Sequence, residues 1–324
     1  MGGGEAAAEA TQDLLVQNVL GKNPWETASV WQDMYNATLI QGRAGLVMNG
    51  LSAIDIALWD RNAKKAGVPL HQFLGGNSEP IQAYASGGYY AEGKGLEGLA
   101  EEVQSWMDLG FKAVKIKTGK LSIAEEEAHL KTVRSIIGED VLLMLDLYNA
   151  MTNLGIACQY LEMAKKYNPY WIEDPFTPDD IDNFIELSKR TDIPLATGEF
   201  HYSPYIFKHI VESGAAQILQ TEAQRCGGIT EWRKIAQMAA SRGITVNPCW
   251  FHQLHAHLVP SIPNRHFVEY FPDTFVLNFD NLISGDKVQL KDGYLHLSQE
   301  LGIGFEFNEE MIASLHHTSF TVSV

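Results

Sequence analysis

The sequence predicts an α/β fold: a TIM-type (β/α)7β barrel with an N-terminal helical capping region and a C-terminal tail packing on the cap. Three observations predict it. Residues 5–75 carry helical periodicity. Beyond them, short apolar runs alternate with amphipathic stretches, eight runs spaced by roughly 20–30 residues, a rhythm that suits a barrel better than an open sheet. After Phe271 the pattern turns to loops and short extended pieces.

The cap comes first. Glu5–Leu20, Trp25–Ile40 and Leu46–Ala66 each read as a helix. In the third, Leu51, Ile54, Leu58 and Asn62 recur at helical spacing, and Gly67 followed by Pro69 stops it. Leu74-Gly75-Gly76 then opens a turn. The eight candidate strands are Ile81–Ser86, Ala113–Lys117, Val141–Asp146, Tyr170–Glu173, Pro194–Glu199, Gln217–Gln220, Ile244–Pro248 and Phe267–Tyr270. Most are too short and too apolar for half-exposed strands, which fits parallel strands buried on both faces. Ser122 with Glu125 forms a capping box for one intervening helix, and Gly138 closes it. The expected boundaries are a helical cap at 1–78, the barrel at 79–272 and a returning segment at 273–324. The tail is expected to supply extended pieces at Lys287–Leu290 and Tyr294–Leu297.

Composition narrows the function classes. A formal net charge of −16 argues against binding nucleic acid or an anionic membrane surface. No apolar run reaches the ~18 residues of a membrane span. Cys158, Cys226 and Cys249 are widely spaced and odd in number, which points to a reducing compartment rather than a disulfide framework. The N-terminus has neither the basic flank nor the apolar centre of a signal peptide. A cytoplasmic enzyme acting on a small molecule is the expectation.

Reactive side chains of a barrel gather at the C-terminal ends of its strands. The second strand ends Lys115-Ile116-Lys117, and alternation sends both lysines to one side. Asp146, Glu173 and Glu199 end three successive strands, and Glu269 lies at the end of the eighth. One such acid is more often a helix cap or an ion-pair partner. Three in succession beside a double-lysine strand would surround one point with oxygen donors, a setting for a hard cation such as Mg²⁺.

Ala53-Ile54-Asp55-Ile56-Ala57-Leu58-Trp59-Asp60, Gly67-Val68-Pro69 and Leu74-Gly75-Gly76 stand ahead of the barrel motifs. These are Lys115-x-Lys117, Asp146, Trp171-Ile172-Glu173-Asp174-Pro175, Gly198-Glu199 and Cys226-Gly227-Gly228. In order and spacing the set resembles the mandelate racemase and muconate lactonizing enzyme family of the enolase superfamily, over about residues 5–310. The resemblance implies Mg²⁺ as cofactor, held by Asp146, Glu173 and Glu199. It implies abstraction of the proton α to a carboxylate through an enediolate, with Lys117 as base. Lys115 would depress the Lys117 pKa by like-charge repulsion and attract the substrate carboxylate. Glu269 would hydrogen-bond a carboxylate oxygen. The partner implied is a small carboxylate, a sugar acid, and the assembly a homo-oligomer.

Two departures shape the expected reaction. Where many relatives carry a His on strand seven and an Asp on strand six, this chain has Cys249 and Glu222, so two-base racemisation is disfavoured and both residues become candidate substrate contacts. Dehydration needs an acid for the leaving hydroxyl: Tyr148, two residues past Asp146, is the first candidate. His201, His252 and His255 are others, His201 also as a substrate contact. Relatives begin with an antiparallel sheet, whereas this sequence starts at helices, so a missing capping β-sheet is expected. Dehydration of a sugar acid to its 2-keto-3-deoxy product is the leading expectation. The rivals are a racemase or cycloisomerase of the same family and a metal-binding pseudoenzyme or assembly subunit.

Overall fold

The computed structural model describes residues 4–272 and 277–314. The cap contains α1 (Gly4–Leu14), α2 (Thr27–Ala37), α3 (Gly45–Ala66) and the short α4 (Leu70–Phe73). The first helix is shorter than its periodicity suggests. The Asn18 side chain donates to the Leu14 carbonyl at 3.2 Å, and a single 3-10 turn replaces further α-helix. Gly67 ends α3 at φ +76°, its N–H donating to the Ala63 and Lys64 carbonyls. Leu15, Val30, Trp31, Met34, Tyr35, Met48 and Leu51 pack into a core of the cap's own.

The barrel follows, its strands separated by helices. It begins with β1 (Ile81–Gly87), α5 (Gly95–Asp108), β2 (Ala113–Lys117), α6 (Ile123–Ile137), β3 (Leu142–Asp146) and α7 (Leu154–Ala164). It continues through β4 (Pro169–Glu173), α8 (Ile181–Ser188), β5 (Leu195–Thr197), α9 (Ser203–Ser213) and β6 (Ile218–Leu219). It ends with α10 (Ala223–Cys226), α11 (Gly228–Ala240), β7 (Thr245–Val246), α12 (His252–Leu258) and β8 (Val268–Tyr270). Each strand from β1 to β6 pairs in parallel with the next, and β8 pairs with β1. No regular ladder joins β7 to β8 among the described residues. The Asn247 side chain bridges the seam by accepting from Phe267 N–H at 2.9 Å, and Val246 N–H reaches the Asn264 carbonyl at 2.9 Å.

Period-two alternation sets what the barrel encloses. Tyr84, Ala113, Met144, Trp171, Ala196 and Ile218, one from each of β1–β6, form one buried inner layer with Phe267, which directly precedes β8. Two residues further along each strand come Ser86, Lys115, Asp146, Glu173, Gly198, Gln220 and Glu269. The polar site is therefore the next layer up. Strand β5 stops at Thr197, earlier than the sequence pattern suggests, so Glu199 stands on the turn beyond it. At Gly198, φ is +144° and any Cβ would meet the Gln220 backbone at 3.0 Å, so a side chain there is strained.

The cap docks on the barrel through polar contacts at α11. Trp31 Nε1 donates to the Gly227 carbonyl at 2.7 Å, and buried Asp55 accepts from Thr230 N at 2.9 Å and Thr230 Oγ1 at 2.5 Å. After the barrel come β9 (Ile283–Gly285), β10 (Gln289–Lys291), β11 (Tyr294–His296), β12 (Phe305–Phe307) and α13 (Glu309–Ser314). The tail meets the cap where Gly302 exchanges hydrogen bonds with Val68 and Leu70, and where Ile303 N donates to Asp60 at 2.8 Å. It also does something its pattern did not announce: the β10–β11 hairpin adds antiparallel to β1, Leu295 facing Ile81. Among the described residues no strand precedes Ile81, and no helix is long and apolar enough to cross a membrane.

Candidate active site

A cavity of about 830 Å³ opens at the C-terminal end of the strands. Lys115, Lys117, Glu199, Glu222 and Glu269 line it, together with Tyr89, Tyr90, Tyr148, Phe200, Arg225 and Trp250. Lys115 sits at its floor, sealed from water. Its ammonium lies 2.7 Å from Glu173 Oε1, 2.9 Å from Glu269 Oε1 and 3.5 Å from Asp146 Oδ2. Lys117, one step higher, contacts Asp146 Oδ2 and passes over the rings of Tyr148 and Tyr89, at 4.8 and 5.5 Å.

These contacts correct one expectation. The Lys117 pKa is raised overall: burial works against its charge and Lys115 lowers it as expected, but Asp146, Glu199 and Tyr89 together outweigh them. Lys115 is held charged in the same way by Glu173 and Glu269 against the effect of burial. For Asp146, burial opposes ionisation, yet Lys117 and Lys115 hold the carboxyl below the usual range.

The other acids behave differently. Burial raises the pKa of Glu173, Lys115 opposes it, and Asp146 and Glu199 add to the rise. Burial likewise raises Asp174, with Glu199 adding to it, and raises Glu199, with Asp146 adding to it. Ligand oxygens of Glu173, Asp174 and Glu199 lie within 4.8 Å of one another, and Asp174 Oδ2 and Glu199 Oε1 are buried without a hydrogen-bond partner. Crowded, raised and partly unpartnered carboxylates fit a divalent cation, whose charge would relieve all three effects. Asp146 stands outside that tight group, and its oxygens are engaged elsewhere, Oδ2 by the lysines and Oδ1 by Tyr148 N–H at 3.0 Å.

Across the mouth from Lys117, Glu222 accepts from Arg225 Nε at 3.1 Å. Cys249 Sγ lies 3.6 Å from Glu222 Oε1. Burial lifts Glu222 to about 7, with Arg225 pulling the other way. Burial and Glu222 also push the Cys249 thiol up, which makes it a poor acid–base group.

Family models match both ends of the chain. Residues 1–75 match the mandelate racemase/muconate lactonizing enzyme N-terminal domain, and residues 98–311 match the enolase C-terminal domain-like family. The chain belongs to the mandelate racemase/muconate lactonizing enzyme family of the enolase superfamily.

Among relatives within the enolase superfamily, arabinonate dehydratase of Saccharolobus solfataricus is 31% identical over 94% of this chain and 82% of its own. L-talarate/galactarate dehydratase of Salmonella typhimurium is 29% identical over 91% of this chain and 72% of its own. The structure of L-talarate dehydratase from Polaromonas sp. JS666, complexed with Mg and L-glucarate, superposes with a TM-score of 0.88 at 26% identity, covering 97% of this chain and 85% of that one.

Not every residue singled out in this enolase-superfamily sequence reaches the cavity. Tyr148 does, on a turn at φ +44° rather than by strand alternation, with 60% of its surface exposed. His201 does not line it. Its ring is buried edge-on against Phe207, and burial lowers its pKa to about 4. Cys249 is also absent from the lining, sealed behind Glu222. His252 pairs with Asp280 at 3.2 Å, and His255 accepts from Ala223 N at 3.0 Å, so both serve the fold.

The sequence reading passed over Asp174, Gln220 and Arg225. Gln220 Nε2 donates to Glu173 at 2.7 Å and could have been found by counting two residues beyond Ile218. Asp174 should point outward by alternation, but φ of +40° turns the chain and brings it inside. Arg225 sits on the four-residue α10, for which no periodicity exists to read.

Proposed function

We propose that this protein is a Mg²⁺-dependent lyase that dehydrates a sugar acid to its 2-keto-3-deoxy product. Two lysines and four acids meeting at one barrel mouth carry the reading, since that set suits removal of a proton next to a carboxylate. The dehydratases among its relatives support the same class of reaction. Asp146, Glu173 and Glu199 would hold the cation, with Asp174 beside them. The bound Mg²⁺ supplies a Lewis acid for the charge that develops on the substrate carboxylate.

The rest falls to the chain. Lys115 and Glu269, locked together at the cavity floor, receive the carboxylate. Lys117 takes the α-proton. A base must be neutral, and Asp146 favours the charged form of Lys117, so Asp146 has to commit its charge elsewhere for the step to proceed. Tyr148 would hand a proton to the leaving hydroxyl, a role its contact with Lys117 supports. Glu222 and Arg225 contact the substrate chain on the opposite wall.

The cycloisomerase relatives, such as D-galactarolactone cycloisomerase of Agrobacterium fabrum at 33% identity over 71% of this chain, define the alternative. Mass spectrometry of products from a sugar-acid panel tests the choice. Loss of one water with a 2-keto product supports dehydration, and conserved mass sinks it. A cytoplasmic homo-oligomer completes the proposal. Its support is three free cysteines and exposed apolar cap residues, Leu39 and Ile40, suited to a subunit contact.

A further inference from the structure

Four cations line the cavity, and three are already matched by acids: Lys115 and Lys117 by the carboxylates at its floor, Arg225 by Glu222. The fourth is Lys120. Among the described residues no acid pairs with its ammonium, which rests 5.9 Å from the Tyr90 ring centroid.

Its backbone is not a loose loop. The Glu126 carboxylate, 1% exposed, accepts from Thr118 Oγ1 at 2.5 Å, Tyr90 OH at 2.6 Å, Leu121 N at 2.8 Å and Gly119 N at 2.9 Å. Thr118 Oγ1 also meets Tyr160 OH at 2.6 Å, and Lys120 N reaches Tyr90 OH at 3.4 Å. A buried carboxylate thus gathers the turn after β2 into one conformation, and that turn presents to the cavity a positive charge that no acid among the described residues compensates. Lys117 lies three residues earlier, so the two lysine Cα atoms are at most about 11 Å apart. A flexible lysine side chain closes such a gap onto the far end of a short acyclic substrate.

We propose that Lys120 is a specificity-determining residue that binds a second, distal carboxylate, so that the preferred substrates are sugar diacids rather than sugar monoacids. This rests on the function proposed above and names its substrate class. A distal CH2OH group would offer the Lys120 charge no counter-ion, whereas a carboxylate would pair with it at the rim of the cavity. Glu126 acts through the turn it braces and is a positioning residue.

The test compares binding of two matched pairs, galactarate with galactonate and glucarate with gluconate, in the presence of Mg²⁺. Calorimetry is run on wild type, Lys120→Gln and Lys120→Glu. Wild type is expected to bind the diacid of a pair at least fivefold more tightly. K120Q should remove that gap with little change for the monoacid, and K120E should reverse it. A gap unchanged in K120Q, no gap in wild type, or no binding of either class overturns the proposal. The exchange of the α-proton of a bound acid is read separately. A diacid preference that depends on Lys120, without exchange, would leave this inference standing and defeat the lyase.

Discussion

Lys115 Nζ lies 2.7 Å from Glu173 Oε1 with both side chains shut off from water. Glu173 is also the acceptor for Trp171 Nε1 at 3.1 Å and Gln220 Nε2 at 2.7 Å, so one carboxylate terminates three donors. Replacing Glu173 by Ala leaves all three facing a void. Removing one partner of a buried pair costs about 3–5 kcal/mol, and urea unfolding of the metal-free protein should show a loss in that range. A loss below about 1 kcal/mol would mean Glu269 and Asp146 alone suffice to satisfy Lys115.

Gly198 leaves a side chain little room. Gly198→Ala must push against the Gln220 backbone from a left-handed φ, a strain of about 1–3 kcal/mol. Its neighbour Glu199 should move with it. Mg²⁺ titration by calorimetry should show at least tenfold weaker binding, while far-UV circular dichroism stays that of wild type. Unchanged affinity would remove Glu199 from the metal set.

Asp55 links the cap to α11 and gives the fold a pH dependence. Burial raises its pKa to about 7, and the hydrogen bonds from Thr230 oppose that rise. The folded state therefore holds the proton more tightly than the unfolded chain, for which the ordinary value is 3.8. Its contribution is complete below about 4 and lost as pH rises through about 7. Relative to Asp55→Asn, which has no proton to lose, wild type should lose Tm across that window. A Tm difference that is flat between pH 4 and 8 would contradict this assignment.

Cys226 and Cys249 are fully buried, and burial raises both thiols well above their ordinary range, whereas Cys158 is half-buried on α7. A disulfide-exchange reagent at pH 8 should titrate one thiol quickly in native protein and three after denaturation. Fast reaction of Cys249 would show that the wall behind Glu222 opens.

Much of this arrangement was legible in the residues. Lys115, Asp146, Glu173 and Glu269 obey simple alternation above the inner layer that contains Ala113, Met144, Trp171 and Phe267, so a period of two places them. The cap helix ending at Gly67 and the capping box of Ser122 with Glu125 were equally plain, because each is a local device. Legibility stopped where the chain leaves regular structure. Tyr148 and Asp174 reach their places through positive φ on turns, and Arg225 through a helix of four residues. His201 shows the converse: its position after Glu199 suggested a substrate contact, but packing against Phe207 decides it. The raised Lys117 pKa could not be read from sequence either, since it depends on Asp146 lying closer to Lys117 than spacing alone specifies.

Proton exchange at the carbon next to the carboxylate tests the central claim most directly. The protein is incubated in D₂O with Mg²⁺ and the sugar-acid panel, and deuterium incorporation is followed by NMR. The account predicts exchange or elimination that requires the metal and falls at least a thousandfold in Lys117→Ala. Exchange that survives in Lys117→Ala, or its absence across the panel in a folded protein that binds Mg²⁺, would contradict it.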